Sequence, residues 1–474
     1  MPQDMEALYQ ARLARYTTAM RNEMPDMAPI RPFVAEFTAA YCGMTCQEVT
    51  HDYRKAFAAA RRCAAEFDWD AVVSNMVYVW TGLTEAIGLR YYGVPGIDVP
   101  ANTGFQYREP GEEGANMKAD EYDALIADPT GFLYNVWLPR VTRSIAGPGS
   151  PASAAGTQAL VKGSMAMMQY FTAFGGQNAA LRNESGTVSA IAGILKAPLD
   201  ILGDKLRGYM GLTMDLLTQP DKVRRACEAL APHLLAVAVG SSDPSRQTPV
   251  GFWMHRGCVP FVTPQQFETV YWPTLKPIIE ELWARGIQTL FYAEGKWDHH
   301  LARFRELPAG SLVLHVDQSD IFVVHRAVGD RYCLSGGIPN VLLSYGKPEE
   351  VREFTRKVLA DVGADGGYIV DAGAIMQNDT RTENLRAMTQ AARDFGGYSR
   401  GHSRLQPSKP SGMEPGSAIG RLPAPSVAPG LCADYATATV GREPRQGDAD
   451  LDRAIWSDVE GLAYTFIWQV LLSF

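Results

Sequence analysis

The chain has 474 residues, 46% hydrophobic and 20% charged, with a formal net charge of −8. This is the composition of a globular protein with a sizeable core. The acidic balance, with no lysine- or arginine-rich run, argues against nucleic acid and anionic membrane surfaces as partners.

In chain order, MPQDMEALYQARLARY opens an amphipathic helix over 4–22 and lacks the apolar centre of a signal peptide. HDYRKAFAAARRCAAEF (51–67) predicts a second helix, and between them two prolines punctuate APIRPFVAEFTAAYCGMT. DWDAVVSN (68–75) reads as a strand ending in polar residues, Asn75 among them. The stretch 93–118 is a Gly-, Pro- and Asn-rich loop, and DEYDALIADPTGFLYNVWLPR (120–140) starts as an acidic helix that stops near Pro129.

From about 155 the pattern alternates. A helix with a Met-rich face covers 156–173, a long helix covers 194–218, and another follows with Pro220 in its first turn. Strand patterns recur at 250–257, 288–295, 311–317, 331–337 and 366–373. Helical patterns separate most of them, at 263–285, 298–306, 319–328, 347–362 and 379–395. Short apolar strands alternating with helices predict a parallel sheet. We read an α/β fold, a (β/α)8 TIM barrel, with the doubly wound open sheet as the alternative. Five strands need three more to close a barrel, and 68–75, 155–170 and 233–241 are the candidates. No Gly-rich phosphate loop follows a strand, which argues against dinucleotide and P-loop sites.

Residues 400–449 hold many Pro, Gly and Ser and read as a linker or a wrapped arm. The chain then ends in a helix whose stripe of Ile455, Trp456, Val459, Leu462, Phe466, Ile467 and Val470 wants a partner surface, on this chain or on a second copy in a homodimer. The expected parts are therefore an N-terminal helical region (1–130), a barrel core (131–399, its first strand drawn from 68–75), the linker (400–449) and a C-terminal docking helix (450–474). No apolar run reaches 18 residues, so no membrane span is expected. Seven scattered cysteines without a CxxC predict reduced thiols and a cytoplasmic location.

In a parallel barrel the chemistry sits where strands end. The first candidate strand ends in His255 and Arg256. The second ends in Tyr292 and Glu294, two apart and so on one face. The third ends in His315 and Asp317, followed by Asp320, which also suits a helix cap. The last ends in Asp371. Candidate catalytic residues are thus Glu294, Tyr292, His255, His315 and Asp317. Candidate substrate contacts are Asn75, Tyr78, Trp253, Trp297, Asp320 and Asp371, the aromatics suiting a flat or apolar substrate. His299 and His300 read as a solvated helix start. The expected state is metal-free; a zinc ion, if bound, would take Glu294, His315 and Asp317.

Four stretches carry a family resemblance. They are DKLRGYMGLTMDLLTQPDKV (204–223), FETVYWPTLKPIIEELWARG (267–286), LSGGIPNVLLSYGKPEEVREFTRKVL (334–359) and GGYIVDAGAIMQNDTRTENLRAM (366–388). Together they resemble the uroporphyrinogen decarboxylase superfamily, which implies a (β/α)8 barrel. The family's decarboxylases carry an R-Q-A-G-R-like motif whose arginines clamp carboxylates. The corresponding IRPFVAEFTAAYCG (30–43) has Arg31 but lacks the motif. The family's zinc methyltransferases use H-x-C-G and a later Cys; here Tyr292, Ala293, Glu294, Gly295 and Ala374 stand there, without those ligands. The resemblance therefore implies the branch that demethylates a small methyl ether, amine or similar donor and passes the methyl group to a corrinoid protein. Cobalamin would come on that partner, because no D-x-H-x-x-G motif is present. Glu294, Tyr292 or His255 would stabilise the leaving atom as an acid, with Asp317 setting a histidine tautomer. A lyase acting on a smaller carboxylic acid is the alternative, and a non-catalytic barrel used for binding is a third reading.

Overall fold

The computed structural model describes residues 4–73, 80–90, 92–398, 412–441 and 447–473. Its strands are Ala71–Val72 (β1), Tyr92–Gly93 (β2), Gln106–Tyr107 (β3), Val188–Ser189 (β4), Gly193–Lys196 (β5), Val250–Met254 (β6), Thr289–Ala293 (β7), Leu312–Val316 (β8), Cys333–Gly336 (β9) and Tyr368–Ile369 (β10). β5 to β10 form one six-stranded parallel sheet, each strand beside the next in sequence. The five strands expected from alternation are all present in it. The register sets Trp253 beside Tyr292 and Tyr292 beside His315, so β6, β7 and β8 end side by side. Helices connect these strands, as parallel neighbours require.

Beyond this sheet, β1 pairs with β4 in parallel. The segment 29–31 runs between β10 and β1: Arg31 N donates to Val370 O (3.1 Å), Val370 N to Pro29 O (2.9 Å) and Asp70 N to Ile30 O (3.0 Å). β2 and β3 form a small antiparallel pair in the long loop.

Two expectations fail here. The long helix read over 194–218 begins instead as β5, paired with β6 at four positions. Pro198 disfavours helical geometry at Ala197, which is extended (ψ 155°). Helix resumes at Pro198–Ile201, widens into a π-helical turn at Leu202–Arg207 and continues as Gly208–Thr218. The proposed strands at 155–170 and 233–241 are also absent. The first lies inside the helix Ala154–Ser185, and the second coincides with the end of the helix Pro220–Gly240. Alanine-rich segments of that length satisfy their backbone internally, so they need no sheet partner. Of 68–75, residues 71–72 form β1. Pro129 starts a helical turn as well as ending one, with Asp128 Oδ1 accepting from Gly131 N (2.8 Å).

The N-terminal helix Met5–Met20 is tied to β1 by charge. Arg12 pairs with Asp68, and Arg15 with Asp70 and Asp26. The fully buried Asp70 also accepts from Ile30 N (2.8 Å).

The C-terminal helix Ala449–Ser473 docks on its own chain. Its second half buries Tyr464, Ile467, Trp468, Val470 and Leu471. The Trp468 ring stacks on His233 with centroids 5.1 Å apart, and its Nε1 donates to Thr130 Oγ1 (3.1 Å). The first half leaves Leu451, Ile455, Val459 and Leu462 exposed. Residues 412–441 are held to other elements: Gly416 N donates to Glu281 Oε1 (2.6 Å), and the backbone N–H groups of Cys432 and Ala433 donate to Glu460 Oε2 (3.1 and 2.9 Å). No helix among the described residues is long and apolar enough to cross a membrane.

Trp468→Ala removes a ring buried among Thr130, His233 and Tyr464. It is expected to destabilise the chain by about 3–5 kcal/mol, read as a shift in the urea midpoint at constant slope.

Candidate active site

The site forms where β5, β6 and β7 end. β5 ends in Lys196, and the π-helical turn after it buries all six of its residues, Asp204 and Lys205 included. Such wider turns recur at functional sites because they redirect side chains that a regular helix would carry past. β6 leads into His255 and Arg256, whose backbone N–H groups both donate to the buried Asp200 Oδ1 (2.8 and 2.6 Å). Tyr271 Oη donates to the other oxygen of Asp200 (3.0 Å). The exit of β6 is thereby fixed.

Asp204 gathers the charges. It accepts from Lys196 Nζ (2.5 Å), Arg256 Nε (3.0 Å) and Tyr209 Oη (3.2 Å). The Arg256 guanidinium lies over Tyr209 at 3.5 Å and Phe261 at 4.5 Å. β7 delivers Glu294, whose Oε2 stands 2.9 Å from His255 Nδ1. The turn carrying Glu294 is braced from behind. Its carbonyl accepts from Trp297 Nε1 (2.9 Å) and Cys258 Sγ (3.4 Å). Gly295 follows at φ +88°, a left-handed geometry that suits glycine, and a Cβ there would stand 2.8 Å from Cys258 Sγ. Gly295 N donates to Asp317 Oδ2 (2.8 Å).

The charges shift one another. Burial works to lower the His255 pKa, but the Glu294 carboxylate, with Asp204 nearby, outweighs it and the net shift is upward. Burial works to raise Glu294, and the His255 imidazolium reverses it, leaving Glu294 below its ordinary value. Asp204 is likewise held low against burial, by Lys196, His255 and Arg256. Lys205 is pushed well below the usual lysine range by burial and the neighbouring Lys196.

Lys196, Asp204, Lys205, His255, Arg256 and Glu294 all line one cavity of about 1170 Å³. It runs along β5 past Ile191 and Ile194 as far as Tyr9 and Leu472. Its aromatic walls include Tyr92, Phe105, Tyr170, Phe174 and Trp253.

Of the residues expected from sequence, His255, Glu294 and Trp253 lie in this wall. The others among the described residues do not line it. Tyr292 is buried, stacked on His315 with centroids 4.5 Å apart, and its hydroxyl accepts from Ile375 N (2.8 Å). His315 is fully buried with both ring nitrogens engaged, Nδ1 to Ser335 Oγ (3.0 Å) and Nε2 to Gly373 O (2.9 Å). Burial and Arg31 push its pKa well below the usual histidine range, so it is neutral and holds the core. Asp317 acts behind the wall through Gly295, its pKa raised to about 6 by burial. Trp297 braces the same turn. Asp320 is exposed and caps the helix Ile321–Val328 through Phe322 N (2.8 Å). Asp371 is fully buried, accepts from Phe33 N (3.0 Å) and Ala372 N (2.7 Å), and is raised to about 7 by burial. Asn75 and Tyr78 lie outside the described residues. His299 is exposed as expected, but His300 is buried and stacks on Phe267 at 3.6 Å. Glu294, His315 and Asp317 do not form a zinc set, because both His315 nitrogens are already bonded; no cluster of three possible ligands occurs among the described residues.

Lys196, Asp200, Asp204 and Lys205 were not anticipated. Their signal was in KAPLDILGDKLRG (196–208), where acidic and basic residues interrupt an apolar stretch without leaving one polar helical face.

Comparison with known proteins bears on this site. Residues 176–395 match the family uroporphyrinogen decarboxylase (URO-D). Every charged cavity residue from Lys196 to Glu294 falls inside that stretch. A uroporphyrinogen decarboxylase from Methylococcus capsulatus is 32% identical over 118 residues, which is 24% of this chain and 32% of the relative. The chain thus matches about a third of the length of that curated relative. A methyltransferase from Methanosarcina mazei superposes with a TM-score of 0.53 at 15% identity, covering 81% of this chain and 98% of the other. That likeness is one of fold.

Two outcomes are expected. The raised His255 pKa means that its pairing with Glu294 stabilises the fold fully below pH about 6.5 and fades as pH rises through the raised value. The lowered Glu294 pKa loses its contribution only as pH falls below the ordinary carboxylate range. An NMR titration of His255 should therefore give a midpoint above 6.5 that drops in Glu294→Gln. Asp204→Asn leaves two buried cations without their shared counter-charge and should cost about 3–5 kcal/mol in urea unfolding.

Proposed function

We propose that this chain is a uroporphyrinogen decarboxylase-like methyltransferase that demethylates a small donor and passes the methyl group to a corrinoid protein. The observation that carries the reading is the His255–Glu294 pair, 2.9 Å apart in the wall of a large cavity. The family match and the fold shared with a protein titled a methyltransferase support it. A (β/α)8 barrel fits the same reading. Backbone hydrogen bonds that join 29–31 to β10 and to Asp70, and the pairing of β1 with β4, support it.

A protonated His255 keeps Nδ1–H on Glu294 and has Nε2–H left for the donor's leaving heteroatom. Proton delivery there turns a poor leaving group into a neutral one as the methyl group departs. Glu294 stabilises the imidazolium beforehand, which favours the acid form of His255. The aromatic walls hold the donor's body and exclude water. The corrinoid, held by the partner, would supply the nucleophile that accepts the methyl group. The Glu294 side chain is partly exposed, which fits an acceptor arriving from outside.

The parts of the chain follow the same reading: an N-terminal helical region, a barrel core, an arm and a docking helix. The exposed stripe at Leu451, Ile455, Val459 and Leu462 would suit a second copy. The seven free cysteines fit the cytoplasm. A lyase acting on a smaller carboxylic acid is the alternative, favoured by the cations around Asp204.

The test mixes the protein with a reduced corrinoid protein and candidate methyl donors and follows the absorbance of the reduced corrinoid. Consumption of that species with at least one donor is expected. No consumption with any donor, together with carbon dioxide release from an acid, would establish the lyase instead. Glu294→Gln should lower turnover about 100-fold or more, far beyond what its effect on the urea midpoint accounts for.

A further inference from the structure

Two thiols that the site chemistry does not use stand together behind the helix Glu36–Tyr41. Cys42 follows that helix and is half-buried, while Cys63 is fully buried on the helix Tyr53–Glu66. Cys42 Sγ lies 3.9 Å from Ala59 O. Ala59 and Cys63 are one turn apart on one helix face, and a helical side chain leans towards the N-terminus. Cys63 therefore tilts over the turn on which the Cys42 sulfur rests. Tyr41 keeps the same register: its hydroxyl bonds to Glu66 Oε2, its ring meets Phe67 at 5.1 Å, and Arg62 lies over it at 5.5 Å. Cys46, four residues on, is engaged elsewhere, its Sγ donating to Asn102 O (3.3 Å).

The two thiols share a hydrogen bond. That bond lowers the Cys42 pKa, with Arg62 adding to it, and together they outweigh burial and Glu66. The same bond raises Cys63, and burial raises it further. The outer sulfur is thus the readier thiolate, and the inner one stays a thiol beside it. The thiolate is the nucleophilic form. Cys432, the other half-buried cysteine, is instead pushed up to about 12 by burial.

We propose that Cys42 is a hydroperoxide-reactive thiol and that Cys63 resolves its oxidised form into an intramolecular disulfide. The Cys42 thiolate attacks one peroxide oxygen and the O–O bond breaks. The sulfur becomes a sulfenic acid, and the other oxygen takes a proton from solvent and leaves as an alcohol or, from hydrogen peroxide, as water. The Cys63 sulfur then displaces the sulfenic hydroxyl, which departs as water with the Cys63 proton. The two thiols lose two electrons between them, and the peroxide gains two. The new bond fastens the end of the helix Glu36–Tyr41, whose Glu36 lines the cavity, to the helix Tyr53–Glu66.

The experiment treats the folded, unaltered chain at pH 7 with one equivalent of hydrogen peroxide and blocks the remaining thiols with iodoacetamide. Tandem mass spectrometry of the unreduced peptides then locates any cross-link. A Cys42–Cys63 disulfide is expected as the main product. A cross-link between other cysteines, or oxidation spread evenly over all seven, would overturn the proposal. Without peroxide, iodoacetamide should alkylate Cys42 at least about tenfold faster than Cys432, because more of it is thiolate. Equal rates would overturn the assignment of Cys42 as the attacking thiol. In Cys63→Ser the sulfenic acid has no resolving partner, so dimedone should label Cys42. No label there would also overturn it, provided the circular dichroism matches the parent's. The first two measurements use the unaltered protein and decide the proposal even where that variant does not fold.

Discussion

One carboxylate organises the working end of this molecule. Asp204 binds the lysine that ends β5 and the arginine that follows β6, and its own backbone lies in the π-helical turn between them. Three elements therefore meet at a single side chain. Neither cation reaches bulk water easily, with Lys196 and Arg256 side chains 10% and 13% exposed. A buried charge needs its partner far more than a surface charge does. The position of the π-helical turn and the electrostatics of the site are thus one constraint. Asp200, four residues earlier, does the complementary work by holding the backbone at His255 and Arg256.

Behind the rim lies a buried polar layer that does not line the cavity. Phe33 meets Trp253, Tyr292 and His315 edge-on, with centroids 5.2 to 5.5 Å apart. Arg31, Ser335, His315 and Asp371 fill the space beyond it. The hydrogen bonds of His315 to Ser335 and Gly373, and of Arg31 to Ser335, tie β8, β9 and the segment after β10 together. The cavity-lining charges stand one step further along the strands, where the cavity begins. This division explains why Tyr292 and Glu294, two apart on one strand, have different fates. The first packs into the layer and the second reaches past it to His255.

The same division separates bracing from contact. Asp317, Trp297 and Cys258 never reach the cavity wall, yet each holds the turn that aims Glu294. A carboxylate that must stabilise an imidazolium gains from such support, because its orientation is settled before a donor enters.

The sequence by itself determined the alternation of strands and helices, the positions of five strands, and the strand ends as the place for chemistry. Those features are local: an apolar run of five residues bounded by polar ones declares itself wherever it lies. His255, Glu294 and Trp253 were legible for the same reason. What sequence could not decide was which polar strand-end residues face the cavity and which are spent on packing. His315 reads like a catalytic histidine until Ser335 and Gly373, 20 and 58 residues away, take both its nitrogens. β5 reads like helix until β6, more than 50 residues later, offers it a backbone partner. Lys196, Asp204 and Lys205 become a site only when that strand and the π-helical turn bring them to one point. Long-range hydrogen bonds and the sharing of buried charge made those choices, and both depend on neighbours that the linear pattern does not show.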